Sequence, residues 1–302
     1  MRKILILILI LICSLHPSLA EETPRRVFTA EKAQPFGEDE AIFHVYVCPL
    51  MGADCMILVQ GNDVMLVDMG KANQYADIKN VLDTLGIEHI KYAFNTHPHD
   101  DHLGSMKKLV SDVTFDVFMT AFPDNYTGDS IIQQSTVDVI KRAGIPIERI
   151  EDGYTFSLGD AQLTVMQQSV YRMPNPRSCM LMAELGECKI LLAADVIGDA
   201  QQLFADTKDL DADILKYPHH GLNRVITDFL SDISPEYAVF THGYLDTQDA
   251  QLQLDKANIW YDFATWGLIH LSTNGEYWIV EQTPTEEGRI YEEKYMQQKE
   301  SD

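Results

Sequence analysis

"KYAFNTHPHDDHLG", residues 91–104, runs from an apolar segment into a cluster. Three of the chain's ten histidines and two aspartates fill positions 97–102. The run 91–96 reads as a buried strand, and the chain bends into a helix over 103–110. Imidazoles and carboxylates set side by side gain nothing from packing, so their company asks for a ligand. Leaving a strand, His97 and His99 alternate to one side, and Asp101 and His102 follow one step later, which offers two donor pairs to neighbouring points. Imidazole nitrogen and carboxylate oxygen are the donors of a catalytic zinc or similar divalent ion, with one position kept for water. The bland reading is a surface histidine cluster; the H-x-H-x-D-H spacing at the end of an apolar strand favours metal.

On the N-terminal side, "AIFHVYVC" (41–48), "DCMILVQ" (54–60) and "DVMLVD" (63–68) are strands separated by Gly-containing turns. Ile78, Val81, Leu82 and Leu85 recur at helical spacing up to Gly86. On the C-terminal side the pattern predicts strand 114–119, helix 130–143 and strands near 154–157 and 161–169. Residues 178–195 form a hairpin about Gly186-Glu187, whose register sets Glu184 opposite Lys189. Helix 198–206, strand 212–217, helix 224–231, strand 236–241, helix 249–258 and a hairpin over 267–281 complete it. Hairpins with interspersed helices in two similar halves argue for an α/β fold, two sheets between helix layers.

The stations of the metallo-β-lactamase superfamily appear in order, and the chain resembles that family over 41–282. "LVDMG" is similar to its first motif, with Asp68 orienting ligands from behind. "LLAADV" is similar to the segment whose aspartate, here Asp195, bridges two metals. "DILKYPHHG" resembles the late histidine motif, in which His220, or alternatively His219, binds metal. The resemblance implies an αββα sandwich of two mixed sheets, with His97, His99, Asp101, His102, Asp195 and His220 as ligands. It implies two divalent ions, zinc first, Mn2+ or Fe2+ as alternatives, and a metal-bound hydroxide as nucleophile. Asp101 and His219 would share in catalysis, with His219, Ser178 or a metal-bound water protonating the leaving group. One station is absent: no histidine lies between Leu103 and Ala194, where most members supply another ligand to the first metal.

"NPRSCML" (175–181) resembles the N-x-x-S segment of the branch with ComEC-type metallo-hydrolase domains and exported phosphorylcholine esterases. This implies a phosphodiester substrate, with Asn175, Ser178 and His242 in weak substrate-binding roles; Asn175 as a simple turn cap is the alternative. Arg172 and Arg177 could clamp a phosphate, and Tyr171 and Tyr244 could line the mouth. His44, His89 and His270 read as packing or surface residues. The competing functions are hydrolysis of a carboxylic ester, lactone or β-lactam, and an inactive secreted metal- or ligand-binding protein. A di-iron redox centre fits poorly, because its relatives carry a carboxylate where this chain has His99.

Residues 1–20, with Arg2 and Lys3 ahead of an apolar run and Ser18-Leu19-Ala20 at the end, read as a secretory signal peptide, too short to span a bilayer. Export to the periplasm, cell wall or medium is the expectation. Residues 21–40 read as a leader and 283–302 as a charged tail. The net charge of −23 becomes −25 on removal of the signal, 21 basic against 46 acidic residues. Such a surface repels polyanions, so a small-molecule or cell-envelope substrate fits better than bulk nucleic acid. Cys48, Cys55, Cys179 and Cys188 lack C-x-x-C spacing; a Cys48–Cys55 bridge is conceivable, but core thiols are the simpler reading.

Overall fold

A computed structural model describes residues 25–37 and 40–299. Residues 1–20, read above as a signal peptide, and the first residues of the expected leader lie outside this range. One sheet has nine strands: β1 (Val27–Thr29), β2 (Phe43–Val47), β3 (Met56–Gln60), β4 (Asp63–Val67), β5 (His89–Asn95), β6 (Thr114–Thr120), β7 (Ile147–Arg149), β15 (Gly267–Thr273) and β16 (Trp278–Pro284). The other has seven: β8 (Thr155–Leu158), β9 (Ala161–Met166), β10 (Met180–Leu185), β11 (Cys188–Leu192), β12 (Ile214–Lys216), β13 (Tyr237–Phe240) and β14 (Trp260–Phe263). Their orders are β1-β16-β15-β2-β3-β4-β5-β6-β7 and β14-β13-β12-β11-β10-β9-β8. Both are mixed: β4, β5, β6 and β7 run parallel, as do β11 to β14 and the β1–β16 pair, and the remaining pairs are antiparallel.

Alternation along the strands divides the apolar residues between layers. Met56 and Leu58 of β3 and Met65 and Val67 of β4 face the inter-sheet core with Phe94, Leu181, Ile190 and Ile214. Ile57 and Leu66 face the other way, onto helices α1 (Tyr75–Thr84), α3 (Met106–Asp112) and α4 (Gln133–Arg142) through Ile78, Leu82, Leu109 and Ile140. Leu191 and Leu215 likewise meet α5 (Asp199–Thr207), α6 (Thr227–Ile233) and α7 (Gln248–Ala257) through Phe204, Phe229 and Leu254. Covering both faces explains why these strands read as continuous apolar runs. The layers are helix, sheet, sheet, helix, the αββα sandwich expected.

The predicted hairpin register holds: Glu184 pairs with Lys189, and their side chains approach to 3.8 Å. Three short strands escaped the sequence. β1 lies inside the expected leader and pairs in parallel with β16; β7 and β14 are edge strands of three and four residues, too short for periodicity to announce. The charged tail forms helix α8 (Glu286–Lys299). All four cysteines at 48, 55, 179 and 188 are free and buried. Cys48 and Cys55 are neighbours across the start of the β2–β3 pair, joined through the backbone at 3.0 Å and not by a disulfide.

The carboxyl ends of β4, β5, β11, β12 and β13 open on one edge of the sandwich. Segments leaving parallel strands there are free of ladder hydrogen bonds and can present side chains to a shared point.

Candidate metal centre

Asp68 follows β4 with a left-handed backbone (φ 59°) and is fully buried. Its Oδ1 accepts from the Thr96 amide (2.9 Å) and Asn95 Nδ2 (3.1 Å); its Oδ2 accepts from Thr96 Oγ1 (2.7 Å) and His102 Nδ1 (2.7 Å). The carboxylate thus shapes the loop after β5 and fixes His102 as the Nδ1–H tautomer, leaving Nε2 bare. Thr96, having given its hydrogen to Asp68, accepts from His97 Nδ1 at 3.1 Å, so His97 Nε2 is bare as well. The turn itself is the short helix α2 (Asp100–Leu103), closed by Gly104. A Cβ at Gly104 would stand 2.4 Å from the Asp100 carbonyl and 2.5 Å from the Ala72 amide, so only glycine allows the cluster to seat against the chain beyond Asp68.

Asp195, three residues past β11, reaches the same point. His102 Nε2 lies 3.3 Å and His97 Nε2 3.7 Å from its Oδ2; His220 Nε2 lies 3.6 Å from its Oδ1. Asp101 faces the same imidazoles, 3.8 Å from His102 Nε2 and 3.5 Å from His220 Nε2. These donor separations match the edge of about 3.4 Å expected for four ligands around a metal with ~2.1 Å bonds. His97 Nε2 and His99 Nδ1, 3.0 Å apart, close a second group with Asp195. His102 Nε2, His220 Nε2 and Asp195 Oδ1 are buried without a hydrogen-bond partner among the described residues. Each such orphan costs about 1–3 kcal/mol, and a cation between them would satisfy all three, so the donor set fits a two-ion centre.

The sequence reading omitted Asp54, which also lies within ligand distance of His102, Asp195 and His220. Its oxygens are already engaged: Oδ1 accepts from Thr241 Oγ1 (2.7 Å) and His220 Nδ1 (3.0 Å), and Oδ2 accepts from Lys216. Asp54 therefore stands behind the His220 ring, as Asp68 stands behind His102, and is not a ligand. The available signal was Lys216, one charge in the buried strand "ILK" immediately before the histidines.

Among the side chains themselves the charges sort by neighbour. Burial opposes a proton on His102, but Asp195, Asp68 and Asp101 outweigh it and raise its pKa. Burial and the adjacent His102 drive His97 well below its usual value. Burial would raise Asp195, yet His102, His220 and His97 hold it ionised. Asp101 is likewise held below the carboxylate range: burial raises it, while His102 and His220 prevail.

The other expected residues divide. His219, also left-handed (φ 50°), lines the adjoining cavity, with Nδ1 fixed by Asn223 at 2.6 Å and Nε2 4.0 Å from Asp195 Oδ2. Asn175 and Arg172 line that cavity of about 610 Å³ together with Tyr126, Ile131 and Met173. Ser178 does not: it is fully buried and its hydroxyl donates to the Asn175 carbonyl at 2.8 Å, so it braces the loop rather than meeting a ligand. His242 points beside Gly52 and bonds Asp246 at 3.1 Å, away from the cavity lining. Arg177 covers the Phe122 ring, Tyr171 packs on the outer core of the second sheet, and Tyr244 meets Tyr295 edge to face. His89 sits at the surface against Thr114 and Asp116, and His44 and His270 form a half-buried pair on β2 and β15.

A family model described as the metallo-beta-lactamase superfamily matches residues 49–242, more than half of the chain. The protein belongs to the metallo-beta-lactamase superfamily. A comparison with curated proteins finds no match. Among solved structures it is similar to the metallo-beta-lactamase fold protein YhfI from Bacillus subtilis, with 11% identity, 74% of this chain and 96% of that chain covered, and a TM-score of 0.49. It is also similar to the Rm3 metallo-beta-lactamase (14% identity, 88% and 97% covered, TM-score 0.44) and to a diphosphatase of the PhnP family (11%, 67% and 87%, TM-score 0.40). Superfamily membership and the converging donor set make the chain a metal-dependent hydrolase.

Proposed function

We propose that this superfamily member is an exported hydrolase of small phosphodiesters. The observation that carries the reading is the two donor groups sharing Asp195 beside a cavity whose wall bears Arg172. Divalent ions bound there would lower the pKa of a water toward neutrality and polarise the scissile phosphoryl group. His97, His99, Asp101, His102, Asp195 and His220 would hold them. Zinc suits the mixture of nitrogen and carboxylate donors, with Mn2+ and Fe2+ as alternatives.

The chain's own residues supply the rest. Arg172 is exposed at the cavity and presents a planar donor fork to a phosphate oxygen. Asn175 brings a buried Oδ1 without a hydrogen-bond partner among the described residues to the same wall, an acceptor for a substrate hydroxyl or ammonium. Asn223 Oδ1 accepts from His219 Nδ1–H and turns Nε2 to the Asp195 side, where the doubly protonated ring would hand its Nε2 proton to the departing oxygen and return to the Nδ1–H form. The acidic remainder repels long polyanions, so a compact diester is favoured over nucleic acid. The signal-like residues 1–20 support a periplasmic, wall-associated or extracellular site of action.

The reading is tested by assaying purified, metal-loaded protein against bis(p-nitrophenyl) phosphate beside a chromogenic β-lactam and a panel of lactones and carboxylic esters. Turnover of the phosphodiester, lost in Asp101→Ala, supports it. Turnover of carbonyl substrates alone overturns it in favour of an esterase or lactamase, and tight zinc without turnover of any of them points to a binding protein.

A further inference from the structure

Hydrolysis as proposed makes no use of the buried ion pair between Lys216 and Asp54. Their side chains are 1% and 0% exposed. Placing a lysine and an aspartate there costs desolvation that an apolar pair of similar volume would avoid, so stability alone gives a weak reason for them. Their contacts give a better one. Asp54 accepts from His220 Nδ1 at 3.0 Å, and its amide donates to the Asp101 carbonyl at 3.2 Å. Lys216, besides Asp54, donates to the carbonyl of Ala194 at 3.3 Å, the residue directly before Asp195. Three of the four donors of one ion site, Asp101, Asp195 and His220, are therefore tied to this one pair; the fourth, His102, is held by Asp68. The other site has no such support. His97 leans on the Thr96 hydroxyl, and half-buried His99 has no carboxylate within hydrogen-bonding distance among the described residues.

We propose that Lys216 and Asp54 are positioning residues that make the Asp101/His102/Asp195/His220 site the tight, first-filled one, leaving the His97/His99 site to take a weaker, exchangeable ion. The inference rests on the two-ion reading of the donor set. It follows from ligand chemistry: the first-filled site has two carboxylates and two imidazoles each backed by a carboxylate, whereas the other has only the shared Asp195 and imidazoles without that backing. Lys216 lets Asp54 remain an anion in a dry interior, and so keeps it an acceptor for His220 Nδ1–H.

The test uses the full mature chain, stripped with chelator and titrated with Co2+ and with Zn2+, read by equilibrium dialysis with elemental analysis and by the cobalt visible spectrum. Two stepwise events are expected, the first at least tenfold tighter. His99→Ala should delete only the weaker step. Asp54→Asn and Lys216→Met should weaken the tighter step roughly 10- to 100-fold and leave the weaker within twofold, a selectivity that a merely structural role would not produce. Circular dichroism of the metal-free variants checks folding; should Lys216→Met fail to fold, the isosteric Asp54→Asn decides. Equal affinities in the wild type, or variants that weaken both steps alike, overturn the proposal. Wild type that takes up no metal sinks the two-ion reading itself, which is a different result.

Discussion

Substituting Asp68 by Asn isolates what the carboxylate behind His102 contributes. The exchange keeps shape and volume and removes only acceptor capacity. Asp68 accepts four hydrogen bonds, two on each oxygen. An amide placed either way round turns one accepting edge into a donor. If its NH2 faces Asn95 and the Thr96 amide, two donors meet one. If it faces His102, that imidazole either keeps its Nδ1 proton against another N–H or moves the proton to Nε2, where an ion needs the lone pair. Each alternative strands a buried polar group, at about 1–3 kcal/mol. At ~1.4 kcal/mol per factor of ten, that is roughly 5- to 150-fold weaker metal binding. Stability of the metal-free chain should fall by a similar ~1–3 kcal/mol, no more, because burial already raises the Asp68 pKa and makes its charge costly to keep. Chelator competition gives the first quantity and urea unfolding of the metal-free protein the second. Wild-type metal affinity in a folded Asp68→Asn variant would refute the tautomer argument.

Gly104→Ala should cost stability at the upper end of ~1–3 kcal/mol, or more, because the new Cβ meets two backbone atoms that cannot move aside; a melting temperature within a degree of wild type would show the turn to be softer than drawn. His44 is pushed down to about 4 by burial and by His270. Below pH 6.5 the unfolded chain takes a proton that the fold refuses, so stability falls between pH 6.5 and 4. The ceiling is ~3.4 kcal/mol, and screening at a half-exposed site reduces it to about 1–2 kcal/mol. Urea unfolding of His44→Asn should show that much less acid sensitivity than wild type. Since the four described cysteines are buried and unpaired, a thiol reagent should label none of them before unfolding, and reductant should leave the melting temperature unchanged. Arg172→Ala should raise KM for bis(p-nitrophenyl) phosphate about tenfold with kcat changed far less; a change in kcat alone would assign Arg172 to the transition state instead.

The layers and the centre of the site were legible because both rest on local pattern. Strands covered on both faces must be apolar throughout, and the H-x-H-x-D-H run announces its donors within six positions. What stayed hidden depends on distance in space. Asp54 and Lys216 are 162 positions apart and look like ordinary charges until the fold closes them on each other. The side chain of Ser178 turns inward, where its buried hydroxyl joins its own amide on the Asn175 carbonyl, which spacing alone cannot reveal. β1 was unreadable because three residues in a polar leader carry no period; β16 supplies its hydrogen-bonding partner from 251 positions away.

The backbone around the site is itself informative. Of the seven non-glycine residues with positive φ among the described residues, Asp68, Ala194, His219 and His220 all border Asp195 or are tied to its ligands. For L-residues this conformation costs about 1 kcal/mol or more each. In an extended segment His219 and His220 would project to opposite sides. Two successive left-handed residues instead turn both rings toward Asp195, one to each carboxylate oxygen, at 4.0 and 3.6 Å. The turn is held by Gly221, packed on the Phe240 ring where no Cβ fits, and by the His219 amide donating to the Ala194 carbonyl at 2.9 Å. That same carbonyl accepts from Lys216. Strain, the buried ion pair and the shared carboxylate thus meet at one peptide, which fixes the geometry that offers an ion its donors.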